Sequence, residues 1–153
     1  MHAHRQRRRR RGNAFIEFAL IWGVLFPVIG GTAQFGNAFY QYNKLCSAVR
    51  NAARFAAVQT YESVDGSVPV DFRDAVRNVV RYGNPAPQET DPVVANVDPA
   101  NIAVSVIWAN RIPSVVSVSV TRYDIDTIFK MFTIQNKPET RFPYLGRWDP
   151  VIE

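Results

Sequence analysis

Histidine and cysteine are nearly missing from this 153-residue sequence. The histidines His2 and His4 stand in the first four residues, and the single cysteine is Cys46. Ser-His-Asp and Cys-His catalysis, and most zinc sites, depend on an imidazole. The carboxylates are scattered, and no glycine-rich phosphate loop is present. We therefore expect no enzymatic activity, no catalytic residue, no metal and no cofactor, with Cys46 a small packed apolar residue.

An excess of basic over acidic residues is also missing from most of the chain. The formal net charge is +5, yet six of the eighteen basic residues are Arg5 and the five arginines at 7–11. The remaining twelve Lys and Arg face thirteen Asp and Glu, a balance of −1. A nucleic-acid interface needs basic residues spread over one face of a folded domain. We therefore expect no nucleic-acid partner.

Residues 14–36 lack Lys, Arg and Asp, and Glu17 is their only charge. A helix of this length spans about 34 Å, enough to cross a bilayer core of about 30 Å. Arginines precede this segment and none follows it directly, so the positive-inside rule predicts a cytoplasmic N-terminus. Pro27 predicts a kink or a locally unwound turn in the helix.

Three kinds of N-terminal segment share this pattern. The first is an ordinary signal peptide cut after Ala33, which would leave a secreted binding domain starting at Gln34. The second is an uncleaved membrane anchor. The third is a prepilin-type signal, cut after Gly12 on the cytoplasmic side so that the apolar helix is retained.

Glu17 favours the third kind of segment. A lone charge inside a membrane helix costs about 3 kcal/mol by insertion scales, so its presence indicates a function. Cleavage after Gly12 would make Asn13 the first residue and place a new α-amino group one helical turn before Glu17. That carboxylate can pair with its own amine or with the amine of a neighbouring subunit. Glu17 is thus predicted to be an assembly contact.

The run from Gly12 through "NAFIEF" resembles the processing site of type IV prepilins. The longer run "RRRRRGNAFIEFALIWGVLFPVIGGTAQFGNAFYQYNKLCSAVRNAARFAA" is similar to the TadE-like minor pseudopilins of the tight-adherence (Tad/Flp) type IV pilus system. The resemblance implies that Gly12 and Asn13 flank the processed bond. It also implies that Glu17 and Phe18 make assembly contacts.

This resemblance implies a non-enzymatic role in assembling a pilus for adherence. The expected partners are a prepilin peptidase, other pilin or pseudopilin subunits, the inner-membrane assembly platform and the lipid bilayer, with no small-molecule substrate. The expected location is the bacterial inner membrane, crossed once, with the N-terminus cytoplasmic and the C-terminal domain periplasmic. Incorporation into an extracellular pilus is part of the same expectation.

The domain organisation follows from these segments. Residues 1–12 are a basic leader, 13–36 the membrane part of the N-terminal helix, 37–61 its amphipathic periplasmic part, and 62–153 a small periplasmic domain. Apolar residues between 38 and 56 recur at helical spacing, so one helix is expected from Glu17 to Tyr61.

The C-terminal half predicts an α+β fold, a short helix followed by a small antiparallel sheet of two to four strands. The short helix lies within "VPVDFRDAVRNVVRYGNP", with Asp71 as its N-cap and Gly83 as its stop signal. Residues 84–100 are expected to form a loop. "NIAVSVIWA" and "SVVSVSVTRY" alternate apolar and small polar residues and predict a β-hairpin.

The last third of the chain is ambiguous. Asp124 or Asp126 would cap a helical turn in "DIDTIFKMFTI", or "MFTI" would form a third strand. The tail "RFPYLGRWDPVIE" is expected to be mostly irregular, with Tyr144 and Trp148 packed on the sheet.

Overall fold

The computed structural model describes residues 3–63, 67–87, 91–109, 112–125, 127, 131–146 and 148–150. The chain divides into two compact units, residues 1–37 and residues 38–153. We describe each unit by itself.

The first helix, α1, runs from Ala3–Val58. The predicted long helix is therefore confirmed, but it ends before Tyr61, which lies in a strand. The physical reason is that the backbone N–H groups of Leu145 and Gly146 donate to the carbonyl of Ala57, which closes the helix there. Helical structure continues through Pro27 without a break. The kink at Pro27 stays a prediction.

The second helix, α2, spans Val70–Tyr82 and confirms the predicted short helix. The assignment of Asp71 as its N-cap is wrong. The cap is Pro69, because the first helical hydrogen bond runs from the Arg73 N–H to the Pro69 carbonyl, at 3.1 Å. Asp71 instead lies in the first turn, where a negative charge is favourable. Gly83 ends the helix in the left-handed conformation at φ +73°, as its sequence position predicts.

A three-stranded antiparallel sheet forms the body of the second unit. Its strands are β2 (Ile102–Ala109), β3 (Ile112–Val120) and β6 (Glu139–Pro143), in the order β2-β3-β6. The predicted hairpin is confirmed by the pairing of Ile102 with Val120 and of Val106 with Val116. Its connection at residues 110–111 lies outside the described residues.

The remaining strands form two pairs. Strands β4 (Arg122–Ile125) and β5 (Phe132–Gln135) pair antiparallel, so "FTI" forms a strand and Asp124 caps no helix. Asp126 lies outside the described residues. Strands β1 (Tyr61–Ser63) and β7 (Trp148–Pro150) pair parallel.

The prediction of a mostly irregular tail is wrong for two segments, because Glu139–Pro143 and Trp148–Pro150 are strands. Backbone pairing with β3 and β1 overrides the local effect of their prolines. The loop predicted over 84–100 is confirmed outside the undescribed residues 88–90, apart from a 3-10 turn at Pro99–Asn101. An α+β architecture is therefore confirmed.

The core of the second unit lies between the C-terminal part of α1, helix α2 and one face of the sheet. Small side chains on α1, including Ala52, Ala53 and Ala56, are fully buried and let other elements approach its backbone closely. Cys46 is half-buried beside this surface. The larger buried side chains recur at helical spacing on the helices and at every second residue on the strands: Leu45, Val49, Phe72, Val76, Val80, Ile102, Val116, Val118 and Val120.

Candidate functional site

The N-terminal unit presents an apolar surface that the chain does not cover. Every residue from 12 to 29 is exposed. Phe15 is 77% exposed and Val24 71% exposed, although both side chains are strongly apolar. Exposed apolar surface of this extent indicates contact with a membrane or a protein partner.

The described part of the chain contains one helix that is long and apolar enough to cross a bilayer, from Gly12–Val58. None of its most apolar 18-residue stretch is buried inside the protein. A core segment of the same composition would be mostly buried, so this stretch is not part of the core. The apolar N-terminal helix is therefore compatible with membrane anchoring.

Glu17 is the only charged residue within this apolar stretch. Its side chain is exposed, and it forms no ion pair with any side chain that the structure describes. Asn13 and Glu17 are four residues apart in α1, which puts them on one face and about 6 Å apart along the axis. The predicted processing site, Gly12 and Asn13, therefore lies one turn from the carboxylate.

Phe18 directly follows Glu17 and makes a ring contact within the helix. Its ring meets Trp22 edge-to-face, with 6.1 Å between the ring centroids. Such a pair favours one orientation of both rings. Most of the Phe18 side chain is still exposed, so the ring remains available to a neighbour. The assembly contact assigned to Phe18 stays a prediction.

Five glycines leave the backbone of α1 open. A Cβ atom added at Gly12, Gly23, Gly30, Gly31 or Gly36 would meet no other described group within 4 Å. Small residues at such positions let a second helix approach closely in a membrane. Near these glycines, the Thr32 hydroxyl donates a hydrogen bond to the Val28 carbonyl at 2.8 Å, so its polar group is satisfied within the helix.

A groove in the second unit lies between the end of α1 and the start of α2. The only titratable side chain among its described lining residues is Asp71. General acid–base catalysis needs titratable groups placed within reach of the same substrate atoms. Among the described residues, no group of three or more His, Cys, Asp or Glu could hold a metal ion.

Sequence reasoning missed the contacts that the tail makes with α1. The Arg54 guanidinium lies 5.7 Å from the centroid of the Phe142 ring, and the Tyr144 hydroxyl bonds the Gln59 carbonyl. Tyr144 is half-buried against the core, and the packing of Tyr144 on the sheet stays a prediction, while the Trp148 side chain is not among those that the structure describes. The alternation of charged residues with Thr140 and Phe142 was the available signal, but Pro138 and Pro143 at the two ends of the strand concealed it.

Comparison with known proteins gives a match for the N-terminal part of the chain. Residues 12–54 match the family model of the TadE-like proteins. No curated protein and no solved structure matches the chain. The matched residues include Gly12, Asn13, Glu17, Phe18 and Pro27, so the resemblance seen in the sequence is confirmed over the segment that carries it. Residues 12–54 are thus similar to the TadE-like proteins, which suggests a part in the Tad pilus system.

Proposed function

We propose that this protein is a non-enzymatic minor pilin-like subunit of a Tad-type pilus. One observation carries the proposal: the most apolar stretch of α1, none of which is buried, bears a lone carboxylate, Glu17, four residues after Asn13. The TadE-like match over residues 12–54 supports the same function.

Processing is the first step of the proposed function. A prepilin peptidase cuts the chain between Gly12 and Asn13 and releases the basic leader. The charge of +6 carried by the arginines of that leader holds the N-terminus in the cytoplasm before cleavage. The apolar helix stays in the inner membrane, and residues 62–153 lie in the periplasm.

Assembly follows from the new N-terminus. Cleavage creates an α-amino cation at the first residue of the helix, where no such charge existed before. In the low dielectric of a membrane, the attraction between this cation and a carboxylate is stronger than in water. An unpaired Glu17 is costly there, so packing against a neighbouring subunit that offers its amine is favoured.

The partners of the proposed function are the prepilin peptidase, other pilin or pseudopilin subunits, and the inner-membrane assembly platform. The exposed helix, including Phe18 and the open glycines, would pack against other subunit helices. The pilus assembled with this subunit would serve adherence.

Determination of the mature N-terminus tests this proposal. The protein is isolated from membranes of its native cell and analysed by intact mass and N-terminal sequencing. A start at Asn13 supports the pilin-like function, and the same protein from cells without the peptidase should start at Met1 or His2. A start at Gln34 would overturn the proposal in favour of a conventional secreted protein. An uncleaved N-terminus at Met1 or His2 in cells that contain the peptidase would also overturn the proposal, and would indicate an uncleaved membrane anchor.

The alternative is a secreted or membrane-anchored binding domain behind an ordinary signal peptide. It is favoured by one observation, since the second compact unit begins at residue 38, just after the small residues Gly31 and Ala33. A plain signal peptide or anchor has no use for a charge at Glu17, which is why the pilin-like function is preferred.

A further inference from the structure

The two edges of the three-stranded sheet are protected differently. The β6 edge carries Glu139, Arg141 and Pro143, and Pro138 precedes it. Charges and prolines on an edge strand prevent it from pairing with another chain. The opposite edge, β2, reads "IAVSVIWA" and contains neither a charge nor a proline. Only the β2 edge is therefore free of these protective residues.

The direction of the β2 backbone groups follows from two hydrogen bonds. The Asn101 carbonyl accepts from the Thr121 N–H, toward β3, whereas the Ile102 carbonyl accepts from Nε of Arg77, away from β3. Backbone groups of successive residues alternate between the two sides of an antiparallel strand. The N–H and carbonyl groups of Val104 and Val106 therefore point out of the sheet.

Both ends of this edge are closed. Arg77 occupies the Ile102 carbonyl at 3.3 Å, and a register shift between Ile107 and Trp108 bends the other end. Between them, the four backbone groups of Val104 and Val106 have no hydrogen-bond partner in the part of the chain that the structure describes. An unpaired edge of this kind is a template for another strand.

We propose that a second copy of this chain pairs its β2 with this edge, antiparallel and about a two-fold axis at Ser105. This register uses the free backbone groups of Val104 and of Val106. Val104 of each copy lies opposite Val106 of the other copy. Four backbone hydrogen bonds form, and Ser105 faces its own counterpart in a non-hydrogen-bonded pair. The two sheets become one sheet of six strands.

The side chains of β2 suit a second copy. Because the strand is uncharged, pairing it with itself places no like charges opposite each other. The proposed register also sets Ala103 opposite Ile107, whose side chain is 47% exposed in the single chain. The small alanine leaves room for this isoleucine, so pairing removes apolar surface from water. A two-fold contact of this kind is self-complementary.

This contact goes beyond the proposed pilus function, which places assembly on the N-terminal helix. Two short strands bury little surface, so the contact is weak when the chain is dilute. Anchoring the chain in a membrane raises its local concentration and favours pairing. The experiment is therefore done on the full chain in membranes.

Disulfide cross-linking tests the register. Cys46 is replaced by serine, and Ser105→Cys is introduced into that background. Opposed residues of a non-hydrogen-bonded pair have Cβ atoms about 4.5–5.5 Å apart, which a small adjustment brings within reach of a disulfide. Mild oxidation of the membranes is expected to give a dimer of this chain on a non-reducing gel.

Ala103→Cys is the matched control, on the same strand and the same face. In the paired strands, position 103 of one chain would lie four residues, about 13 Å, from position 103 of the other. This variant alone should therefore not cross-link. Mixed with Ile107→Cys it should cross-link, because those two positions are opposed. Equal cross-linking of Ala103→Cys and Ser105→Cys would overturn the proposed register, and no dimer from Ser105→Cys would overturn the pairing.

A charge at the axis gives a second test. Ser105 is exposed, so Ser105→Lys is expected to leave the fold intact while placing two like charges opposite each other. Cross-linking of the Ala103→Cys and Ile107→Cys pair should fall several-fold with Ser105→Lys and stay unchanged with Ser105→Thr. Unchanged cross-linking with the lysine, or a cross-link to a different protein, would contradict a self-paired strand. Neither result depends on where the mature N-terminus lies.

Discussion

The phenolic hydroxyl of Tyr144 donates a hydrogen bond to the backbone carbonyl of Gln59, 2.7 Å away and 85 residues earlier in the chain. The next two residues, Leu145 and Gly146, donate their N–H groups to the carbonyl of Ala57, at 2.7 and 2.9 Å. Carbonyls at a helix end lack partners within the helix. The tail therefore supplies the C-terminal closure of α1, and burial raises the pKa of the Tyr144 hydroxyl.

Replacing Tyr144 by phenylalanine is expected to destabilise the protein by about 1 kcal/mol. The ring remains, but the hydroxyl that satisfies the Gln59 carbonyl is lost. Chemical denaturation of the full chain in detergent, followed by tyrosine and tryptophan fluorescence, measures the change. Tyr40→Phe is the control, because the Tyr40 side chain is 63% exposed. Equal losses from the two variants would contradict the role assigned to Tyr144.

Replacing Gly146 by alanine is expected to cost about 1–3 kcal/mol, as overpacked sites do. An added Cβ would collide with the Gln59 carbonyl oxygen and lie 2.6 Å from the Tyr144 hydroxyl oxygen. The same denaturation experiment measures the cost. Gly36→Ala is the control, since its Cβ would meet nothing and alanine favours helix. A Gly146→Ala variant as stable as Gly36→Ala would show that the tail does not approach α1 this closely.

The Glu139 carboxylate links β6 to β3 and gives a pH dependence. Hydrogen bonds from Arg141 and then from Ser117, whose oxygen lies 3.0 Å away, lower the pKa of Glu139. A carboxyl with a lower pKa in the folded state stabilises the protein above the pKa of the unfolded chain. That stabilisation is lost as the pH falls through the folded pKa. Stability should therefore fall below about pH 4.5, the ordinary pKa region of glutamate.

The pH prediction is measured by titrating the carboxyl carbon of Glu139 by NMR and by comparing unfolding between pH 2 and pH 6, about the range in which glutamate titrates. Ser117→Ala should raise the pKa of Glu139 toward its ordinary value, because one donor is removed. Glu139→Gln should flatten this part of the stability curve. A curve unchanged by Glu139→Gln would show that other carboxylates carry the dependence.

Gly12→Ala is expected to block processing under the proposed function, because a prepilin peptidase cuts after this glycine. The variant should keep the mobility of the unprocessed chain on a gel, while the wild-type protein shifts to the shorter form. Gly23→Ala is the control, since an added Cβ there also meets no other group. Normal cleavage of Gly12→Ala would place the cut elsewhere.

Glu17→Val should be processed normally and assemble poorly, since valine suits the membrane but cannot pair with an amine. Processing is read from the gel, and assembly from the subunit recovered in sheared pili. Glu17→Gln keeps the size and polarity without the charge, and it should fail in the same way. Normal piliation with Glu17→Val would remove the role assigned to the carboxylate.

The hairpin of β2 and β3 and helix α2 were predictable because their signals are local. Alternation over "NIAVSVIWA" and the glycine at 83 each act within a few residues. Asp71 was predicted to be the N-cap of α2 but lies in its first turn. With Pro69 two residues earlier, the local sequence fits either position. Strand β6 was missed, because Pro143 inside it and Pro138 just before it argue against a strand until β3 is known to lie beside it.

By itself, the sequence determined the long apolar helix, its lone carboxylate and the glycine before it. These features act through composition, charge and periodicity along a continuous segment, which tertiary contacts do not alter. Only the tertiary structure decided that Tyr144 closes the end of α1, and that β2 is an open edge while β6 is a protected one. Those relationships join residues far apart in the chain, and they exist only once the strands have taken their order in the sheet.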